Sequence, residues 1–284
     1  MSLDYQKLID WPFPVTRRHY GPADCIHYAR GFGAGAAADW AETDQPYIEE
    51  GKNLKALPMI AVALTDGEFW QQNPETGIVW QQIVHAQESL RIHRPLATEG
   101  EVVVTQKIDE IFDRGADKGA VMLQSLQLSD PQGETLASIE VTTVLRGNGG
   151  FGGKPQNTPR PAPLPKRPAD ALLEIPTPPE PDTPFRLSAE IAVAAQTEGK
   201  AQSMIRGLGC FGLAGRGALK LACNNNAERL RSLTVRYAGP MFSGETMRLE
   251  LWHSAPGQAL FRMHAVERDK PVLSYGMIEY DPKN

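Results

Sequence analysis

The chain has 284 residues, 41% of them hydrophobic, which is enough for one large domain or two ordinary ones with a substantial core. The net charge of −5 argues against nucleic acid as a general partner. The opening residues, MSLDYQKLIDWPFP, lack a basic stretch followed by an apolar run, and no apolar run reaches the ~18–20 residues that span a bilayer. We therefore expect a cytoplasmic location, no secretory signal and no membrane partner.

The first half of the chain predicts a helix followed by a set of strands. Pro58 suits the first turn of a helix through MIAVAL, and this helix is apolar on all sides, as an enclosed helix must be. Turn signals at residues 113–115 and 130–133 separate the strand-like runs that follow. These runs are EVVVTQKIDEIF from Glu101, AVMLQSLQLS from Ala120 and ETLASIEVTTVL from Glu134.

A proline-rich segment, residues 154–184, divides the chain. It holds 11 of the 23 prolines. Proline fixes φ and has no backbone N–H, so this segment predicts a semi-extended linker and neither a helix nor an inner strand. The predicted organisation is an N-terminal half over residues 1–153, the linker, and a C-terminal half over residues 185–284.

The second half repeats the plan of the first. The segment GLGCFGLAGRGALKLAC from Gly207 to Cys223 contains five glycines, each costing an isolated helix roughly 1 kcal/mol relative to alanine. A helix here must be held by burial, with the glycines letting a sheet approach its backbone. Four strand-like runs follow it: RLRSLTVRYAG, ETMRLELWHS, ALFRMHAVER and VLSYGMIEY. The pattern therefore predicts two α+β halves.

No strong metal-binding or phosphate-binding motif is present. Cys25, Cys210 and Cys223 form no CxxC pair, and we expect buried, reduced thiols. No cluster of histidine, cysteine and carboxylate has zinc spacing. The GGFGG segment at residues 149–153 precedes the linker and opens no helix, so it predicts a structural turn with positive φ and not a phosphate loop.

Several stretches resemble the (R)-specific 2-enoyl-CoA hydratases, the hydratase-2 branch of the MaoC-like dehydratases. They follow the family's order and cover almost the whole chain; GGFGGK and AGPMFSGETMRLELW are the most specific. The stretches are YARGFGAG from Tyr28, EEGKNLKALPM from Glu49, VHAQESLRIHRPL from Val84, RGNGGFGGK from Arg146, FRLS from Phe185, GLGCFGLAGR from Gly207 and VRYAGPMFSGETMRLELW from Val235.

The resemblance implies an α+β double hot-dog fold, in which a curved antiparallel sheet wraps a buried helix twice in one chain. It also implies reversible hydration of a trans-2-enoyl-CoA to an (R)-3-hydroxyacyl-CoA, and a homodimer. No cofactor is implied beyond the coenzyme A thioester itself, as substrate or ligand. The chemistry requires a base that activates water, an acid that protonates C2, and donors for the enolate oxygen.

One part of the family's site is matched at the start of the second helix. Gly207 matches a glycine whose backbone N–H donates to the enolate oxygen, and helix N-termini offer free N–H groups. The alternative is that Gly207 serves packing, like the other glycines of this helix. The resemblance makes Arg206, Gly207 and Leu208 candidate substrate-binding residues.

The family's catalytic loop, Asp-x-Asn-Pro-Leu-His, has no counterpart after the FRLS motif. Counting forward from Ser188 places Glu190 at the aspartate position, Ala192 at the asparagine and Ala195 at the histidine. Counting back from Gly207 leaves the segment about six residues short. No histidine occurs between His93 and His253.

Three residues remain as candidates, each with two interpretations. Glu190 is either a lone general base in a dry pocket or a solvated surface carboxylate. His85 matches a family histidine in the half that does not carry the chemistry, and either binds substrate or makes structural hydrogen bonds. Arg206 stands where the family has a histidine, and either grips a carboxylate or phosphate or fills space left by the loop.

Two functions from different classes therefore stay open. The chain is either a hydro-lyase of the enoyl-CoA hydratase or 3-hydroxyacyl-CoA dehydratase type, using a newly recruited residue such as Glu190. Or it is a non-catalytic acyl-CoA-binding or assembly subunit, possibly the partner of an active paralogue. A thioesterase ranks third, because no carboxylate is convincingly placed for that reaction.

Overall fold

The computed structural model describes residues 3–37, 40–156, 161–177 and 203–282. Within these ranges no helix is long and apolar enough to cross a membrane. The helices are α1 (Tyr5–Ile9), α2 (Pro22–Gly31), α3 (Ala41–Ile48), α4 (Ile60–Leu64) and α5 (Gly207–Cys223). The strands are β1 (Thr16–Tyr20), β2 (Ile83–Ile92), β3 (Gly100–Asp113), β4 (Ala120–Ser129), β5 (Thr135–Leu145), β6 (Ala171–Pro176), β7 (Met204–Ile205), β8 (Leu230–Tyr237), β9 (Met241–Phe242), β10 (Thr246–Ala255), β11 (Gln258–Ala265) and β12 (Lys270–Tyr280).

Ten of these strands form one antiparallel sheet in the order β1-β3-β4-β5-β2-β8-β12-β11-β10-β6. Read inward from each edge, the two halves have the same strand order: β1, β3, β4, β5 and β2 in the first correspond to β6, β10, β11, β12 and β8 in the second. The halves meet at β2 and β8, whose pairing is centred on Ser89 and Thr234, and the two hydroxyls hydrogen-bond. The halves are thus related by a pseudo-twofold axis through this strand pair, and the double hot-dog fold is confirmed.

Helix α5 is buried on nearly every side, as its glycines predicted. A Cβ at Gly212 would lie 2.4 Å from the ring of Phe32, and one at Gly215 would lie 2.5 Å from Met59. Packing at this distance is possible only because these two positions of the helix carry no side chain. The burial gained by the close approach compensates for the low helix propensity of glycine.

Helix α4 is the counterpart of α5 but spans only Ile60–Leu64. It is apolar and almost wholly buried, which confirms an enclosed helix. Pro58 lies in the turn two residues before the helix and not in its first turn. In this turn the N–H groups of residues 60–62 donate to the carbonyl oxygens of residues 57–59.

A buried charge cluster joins α3 to α5. Asp44 accepts from Arg216 at 2.7 Å, from Lys220 at 2.8 Å and from the Asn225 amide at 2.9 Å. Burial is the main reason that the pKa of Lys220 falls to about 8. The Asp44 carboxylate is shared by two cations of α5, and these bonds hold α5 against the N-terminal half.

The predicted linker, residues 154–184, contains strand β6, which the sequence analysis did not predict. This strand pairs with β10 at the edge of the sheet, where it is the counterpart of β1. Proline density concealed it, but the run Ala171–Pro176 has proline only at its last position. An edge strand tolerates that proline because one side of its backbone needs no partner.

The GGFGG segment is a structural turn, as predicted. Gly150 and Gly152 have φ of +80° and +84°, conformations that favour glycine. Their N–H groups donate to the carboxylate of Asp113 over 2.8 and 2.7 Å, and Gly115 donates to it as well. The chain's own carboxylate therefore occupies the position that an anion would take in a phosphate loop.

The cysteines are free and buried, as expected. Burial raises the pKa of Cys25 to about 11 and that of Cys223 to about 12. These thiols are therefore un-ionised at neutral pH and unsuited to nucleophilic chemistry.

Candidate functional site

A cavity of about 210 Å³ lies where the start of α5 meets the N-terminal half. One wall is the end of α4 and the loop that follows it, another is the inner face of β2 to β5, and the third is the start of α5. Phe69 and Trp70 in the loop wall are fixed by aromatic contacts with Trp80 and Phe13. The cavity brings together the predicted residues His85, Arg206 and Leu208.

The start of α5 presents two free donors. Arg206 is the N-cap residue, and its carbonyl oxygen accepts from the N–H groups of Gly209 and Cys210 at 3.0 and 3.1 Å. The N–H groups of Gly207 and Leu208 hydrogen-bond to no other described residue. These groups, at the positive end of the helix dipole, can stabilise a developing negative charge on an oxygen.

Gly207 also has a packing role, through His85. A Cβ at Gly207 would lie 2.5 Å from Nδ1 of His85, closer than any van der Waals contact. The imidazole therefore lies directly against the helix start. Both interpretations of Gly207 describe real features of this position: the residue must be small, and its N–H is free among the described residues.

Glu88 is a buried carboxyl on the inner face of β2, with only 2% of its surface exposed. The hydroxyl of Tyr237 donates to Oε2 at 2.9 Å. Burial raises the pKa of Glu88 to about 7, and the negative charge of Asp66 raises it, while the Tyr237 hydrogen bond and the positive charge of Arg206 lower it. Such a group exchanges a proton readily at neutral pH, as a general acid–base catalyst must.

His85 lies beside this carboxyl, with Nε2 at 3.8 Å from Oε2 of Glu88. Burial lowers the pKa of His85 to about 4, so the ring is neutral at pH 7. The ring packs on Tyr237, with 4.6 Å between centroids, and buried Nε2 has no hydrogen-bond partner among the described residues. At neutral pH, therefore, the exchangeable proton of this pair resides on Glu88.

Arg206 does not face the cavity as a free cation. Its guanidinium binds the carboxylate of Asp66 through two hydrogen bonds, of 2.9 and 2.7 Å. Arg18 donates to the backbone carbonyl of Asp66 from the other side. Arg206 thus grips a carboxylate through two bonds, as one interpretation expected, but the carboxylate belongs to Asp66 of the same chain, and the contact anchors the loop wall.

The position related to this site by the pseudo-twofold axis has different residues. With Ser89 matched to Thr234, the position equivalent to Glu88 is Leu233 and that equivalent to His85 is Leu230. The first two residues of α4, Ile60 and Ala61, donate their N–H groups to the carbonyl oxygens of Leu57 and Pro58, so they are not free as those of α5 are. The equivalent end therefore lacks the carboxyl and the imidazole.

The sequence analysis and the structure differ in which residues they assign to the site. Glu190 lies outside the described residues, as do all of residues 178–202. The sequence analysis missed Glu88, Tyr237 and Asp66. A signal for Glu88 existed, because it alternates with Leu90 and Ile92 and so shares the inward face of a strand.

The comparisons with known proteins agree with this fold. The family model for the MFE-2 hydratase 2 N-terminal domain matches residues 19–147. The chain is similar to the 3-hydroxyacyl-thioester dehydratase Y of Mycobacterium tuberculosis, with 31% identity over 90% of this chain and 91% of that protein. It is also similar to a probable enoyl-CoA hydratase 2 of Dictyostelium discoideum, with 26% identity over 99% and 98% of the two chains.

Among solved structures, the chain is similar to a MaoC-like dehydratase from Phytophthora capsici. The TM-score is 0.80 with 25% identity, and the match covers 98% of this chain and 99% of that one. A relative above 30% identity that is matched over nine-tenths of both chains is decisive for family membership. The chain belongs to the hydratase-2 family of MaoC-like dehydratases.

Proposed function

We propose that this protein adds water to a 2-enoyl thioester and removes it from the 3-hydroxyacyl thioester, with Glu88 as the acid–base group. The observation that carries the proposal is a buried carboxyl of pKa about 7 that lines one cavity with Leu208 and is linked through Tyr237 to Gly207, the first residue of α5. The names of the relatives support the substrate class, since they include a 3-hydroxyacyl-thioester dehydratase and an enoyl-CoA hydratase.

The reaction balances with one carboxyl. The ionised Glu88 takes a proton from water while the hydroxide oxygen bonds to C3. The C2–C3 π electrons move toward the thioester, whose oxygen becomes negatively charged and accepts from the N–H groups of Gly207 and Leu208. The protonated Glu88 then gives its proton to C2 and returns to its starting form. Dehydration follows the same steps in reverse.

His85 and Tyr237 act as positioning residues in this scheme. The neutral imidazole separates Glu88 from the start of α5 and, by its contact with Gly207, sets the position of the free N–H groups. Tyr237 contacts Glu88 and the carbonyl of Gly207, both at 2.9 Å. The carboxyl and the donors are therefore held in one rigid unit, as catalysis by preorganised groups requires.

The alternative is a non-catalytic acyl-CoA-binding or assembly subunit. The observation that favours it is the sequence between Ser188 and Arg206, which contains no histidine and no match to the family's catalytic loop. In that case the cavity would retain its ligand without turnover. A homodimer and a cytoplasmic location remain expectations from the resemblance and from the sequence.

The test compares three carboxylates in a hydration assay with crotonyl-CoA and hex-2-enoyl-CoA. We expect Glu88→Gln to reduce kcat by about 10²–10⁴, the usual contribution of one proton-transfer group, and to preserve thioester binding in calorimetry. Glu134→Gln, at an exposed ion pair with Arg94, is the matched control. Loss of turnover in Glu190→Gln but not in Glu88→Gln would contradict the proposal. Absence of turnover in the wild type, with binding retained, would favour the alternative.

A further inference from the structure

The inner face of the N-terminal half carries a line of polar side chains where its sequence pattern is otherwise apolar. Gln106 on β3, Gln124 on β4 and Thr143 on β5 all line the cavity. Their neighbours on the same faces of the same strands are apolar. These neighbours are Val104, Met122, Leu126, Ile139, Val141 and Leu145.

Strand register makes the three residues diagonal neighbours. Gln106 pairs with Leu126, two residues along β4 from Gln124, and Gln124 pairs with Val141, two residues along β5 from Thr143. Diagonal side chains on one face of a sheet are within reach of a common small ligand.

Gln124 and Thr143 are each 5% exposed, yet their side chains hydrogen-bond to no other described residue. Their polar atoms are not among the fully buried side-chain atoms that lack a partner, so these atoms keep access to the cavity. The amide of Gln124 is not sealed into the core, because it lines the cavity. Both groups are therefore available to a polar group that enters the cavity.

The position of this polar line relative to Glu88 determines which part of a ligand would meet it. Glu88 pairs with Val141, and Val141 pairs with Gln124, so the three residues form one row across the sheet. Two strand spacings separate Glu88 from Gln124, which is about 10 Å between backbones. A thioester with its reacting carbons at Glu88 would direct the far end of a short acyl chain toward Gln124 and Thr143.

The charges of the lining indicate that this end is neutral. Glu88, Asp66 and Glu68 line the cavity, and its cation, Arg206, is bound to Asp66. A carboxylate on the acyl group would face carboxylates without a free counter-ion. The volume of about 210 Å³ is small for a ligand site, which favours a short acyl chain.

We propose that the acyl group is short and ends in a neutral hydrogen-bonding group, such as a hydroxyl, which Gln124 and Thr143 bind. This inference rests on the proposed function, since it assigns the substrate class of the same site. It explains two buried polar side chains that the hydration steps do not use.

The test uses two saturated ligands with equal numbers of non-hydrogen atoms, 5-hydroxypentanoyl-CoA and hexanoyl-CoA, with calorimetry on the full chain. We expect the wild type to bind the hydroxylated ligand about tenfold more tightly, the effect of one well-made neutral hydrogen bond. The double variant Gln124→Leu with Thr143→Val should reverse the preference. Gln127→Leu, on the outer face of the same strand, is the matched control and should leave the preference unchanged.

Three results would overturn the inference: tighter binding of hexanoyl-CoA by the wild type, an unaltered preference in the double variant, or no binding of either ligand. The double variant should melt close to the wild-type temperature, because the two side chains make no hydrogen bond to a described residue that the change would break, and this checks that it folds. Assays with the matching 2-enoyl thioesters separate the two proposals. Turnover without a hydroxyl preference overturns only this inference, whereas preference without turnover overturns only the proposed hydration.

Discussion

Tyr237 and Glu88 are linked by a hydrogen bond of 2.9 Å between the phenolic oxygen and Oε2. The same phenolic oxygen lies 2.9 Å from the carbonyl oxygen of Gly207. A phenol has one hydrogen, so it can donate to only one of these acceptors at a time. When Glu88 is protonated, its O–H can donate to Tyr237 while Tyr237 donates to Gly207. Tyr237 therefore accommodates both protonation states of the carboxyl without an unsatisfied group.

The first prediction concerns Tyr237→Phe. Because the Tyr237 hydrogen bond lowers the pKa of Glu88, its loss should raise that pKa by about one unit. The ionised form starts the reaction in both directions, so the acidic limb of the kcat/KM profile should move to higher pH. We would measure the pH profile of hydration from pH 5 to 9. An unchanged profile would show that Glu88 is not the titrating group.

The second prediction concerns stability and pH. The pKa of Glu88 is about 7 in the folded protein and near 4.5 in the unfolded chain. The folded state therefore holds a proton that the unfolded state has lost, and stability decreases as pH rises from about 4.5 to 7. Glu88→Gln removes this loss. The free energy of unfolding of the variant should therefore exceed that of the wild type by up to about 3 kcal/mol at pH 7 and by little at pH 4.5.

His85 has the opposite effect on the pH dependence of stability, so the wild type must be compared with a variant. Its pKa is about 4 in the folded protein, below the ordinary 6.5, so its contribution to stability increases as pH rises from about 4 to 6.5. The two groups offset each other in the wild type. Urea denaturation of wild type and Glu88→Gln at several pH values isolates the Glu88 effect. A constant difference across this range would mean an ordinary pKa for Glu88.

The third prediction concerns Arg206→Gln. Loss of the guanidinium leaves the negative charge of Asp66 uncompensated and should raise the pKa of Glu88, reducing kcat/KM at pH 7 several-fold. The second change, Asp66→Asn, should restore the profile. The pair is one-quarter to one-third exposed, so stability should change by less than about 1 kcal/mol. A raised KM without rescue would instead show that Arg206 binds a phosphate or carboxylate of the ligand.

The fourth prediction compares two alanine substitutions on α5. Gly207→Ala places a Cβ 2.5 Å from His85, and Gly212→Ala places one 2.4 Å from Phe32. Each overpacked variant should lose about 1–3 kcal/mol of stability. We expect only Gly207→Ala to reduce kcat strongly, by about tenfold or more, because it moves the donors and His85. Equal losses of kcat at a temperature where both variants are folded would mean a purely structural role for Gly207.

The sequence by itself determined the architecture. Alternation and turn signals located β3, β4 and β5 closely, and the glycines of α5 required a helix that is buried on all sides. These features are local, since a strand's period and a helix's glycines are visible within about a dozen residues. Family membership followed from motifs along the whole chain. Strand β6 was missed because its proline-rich surroundings obscured a run of five ordinary strand residues.

Only the tertiary structure decided the site. Glu88 lies more than a hundred residues before Gly207, Tyr237 lies 30 residues after Gly207, and Glu88 resembles any strand glutamate in the sequence. Its raised pKa arises from burial between β2 and α5, and burial depends on how the two halves join. The sequence pointed to Glu190, whereas packing across the β2–β8 pair brings the Glu88 carboxyl, which lines the cavity, together with the Tyr237 phenol and the start of α5.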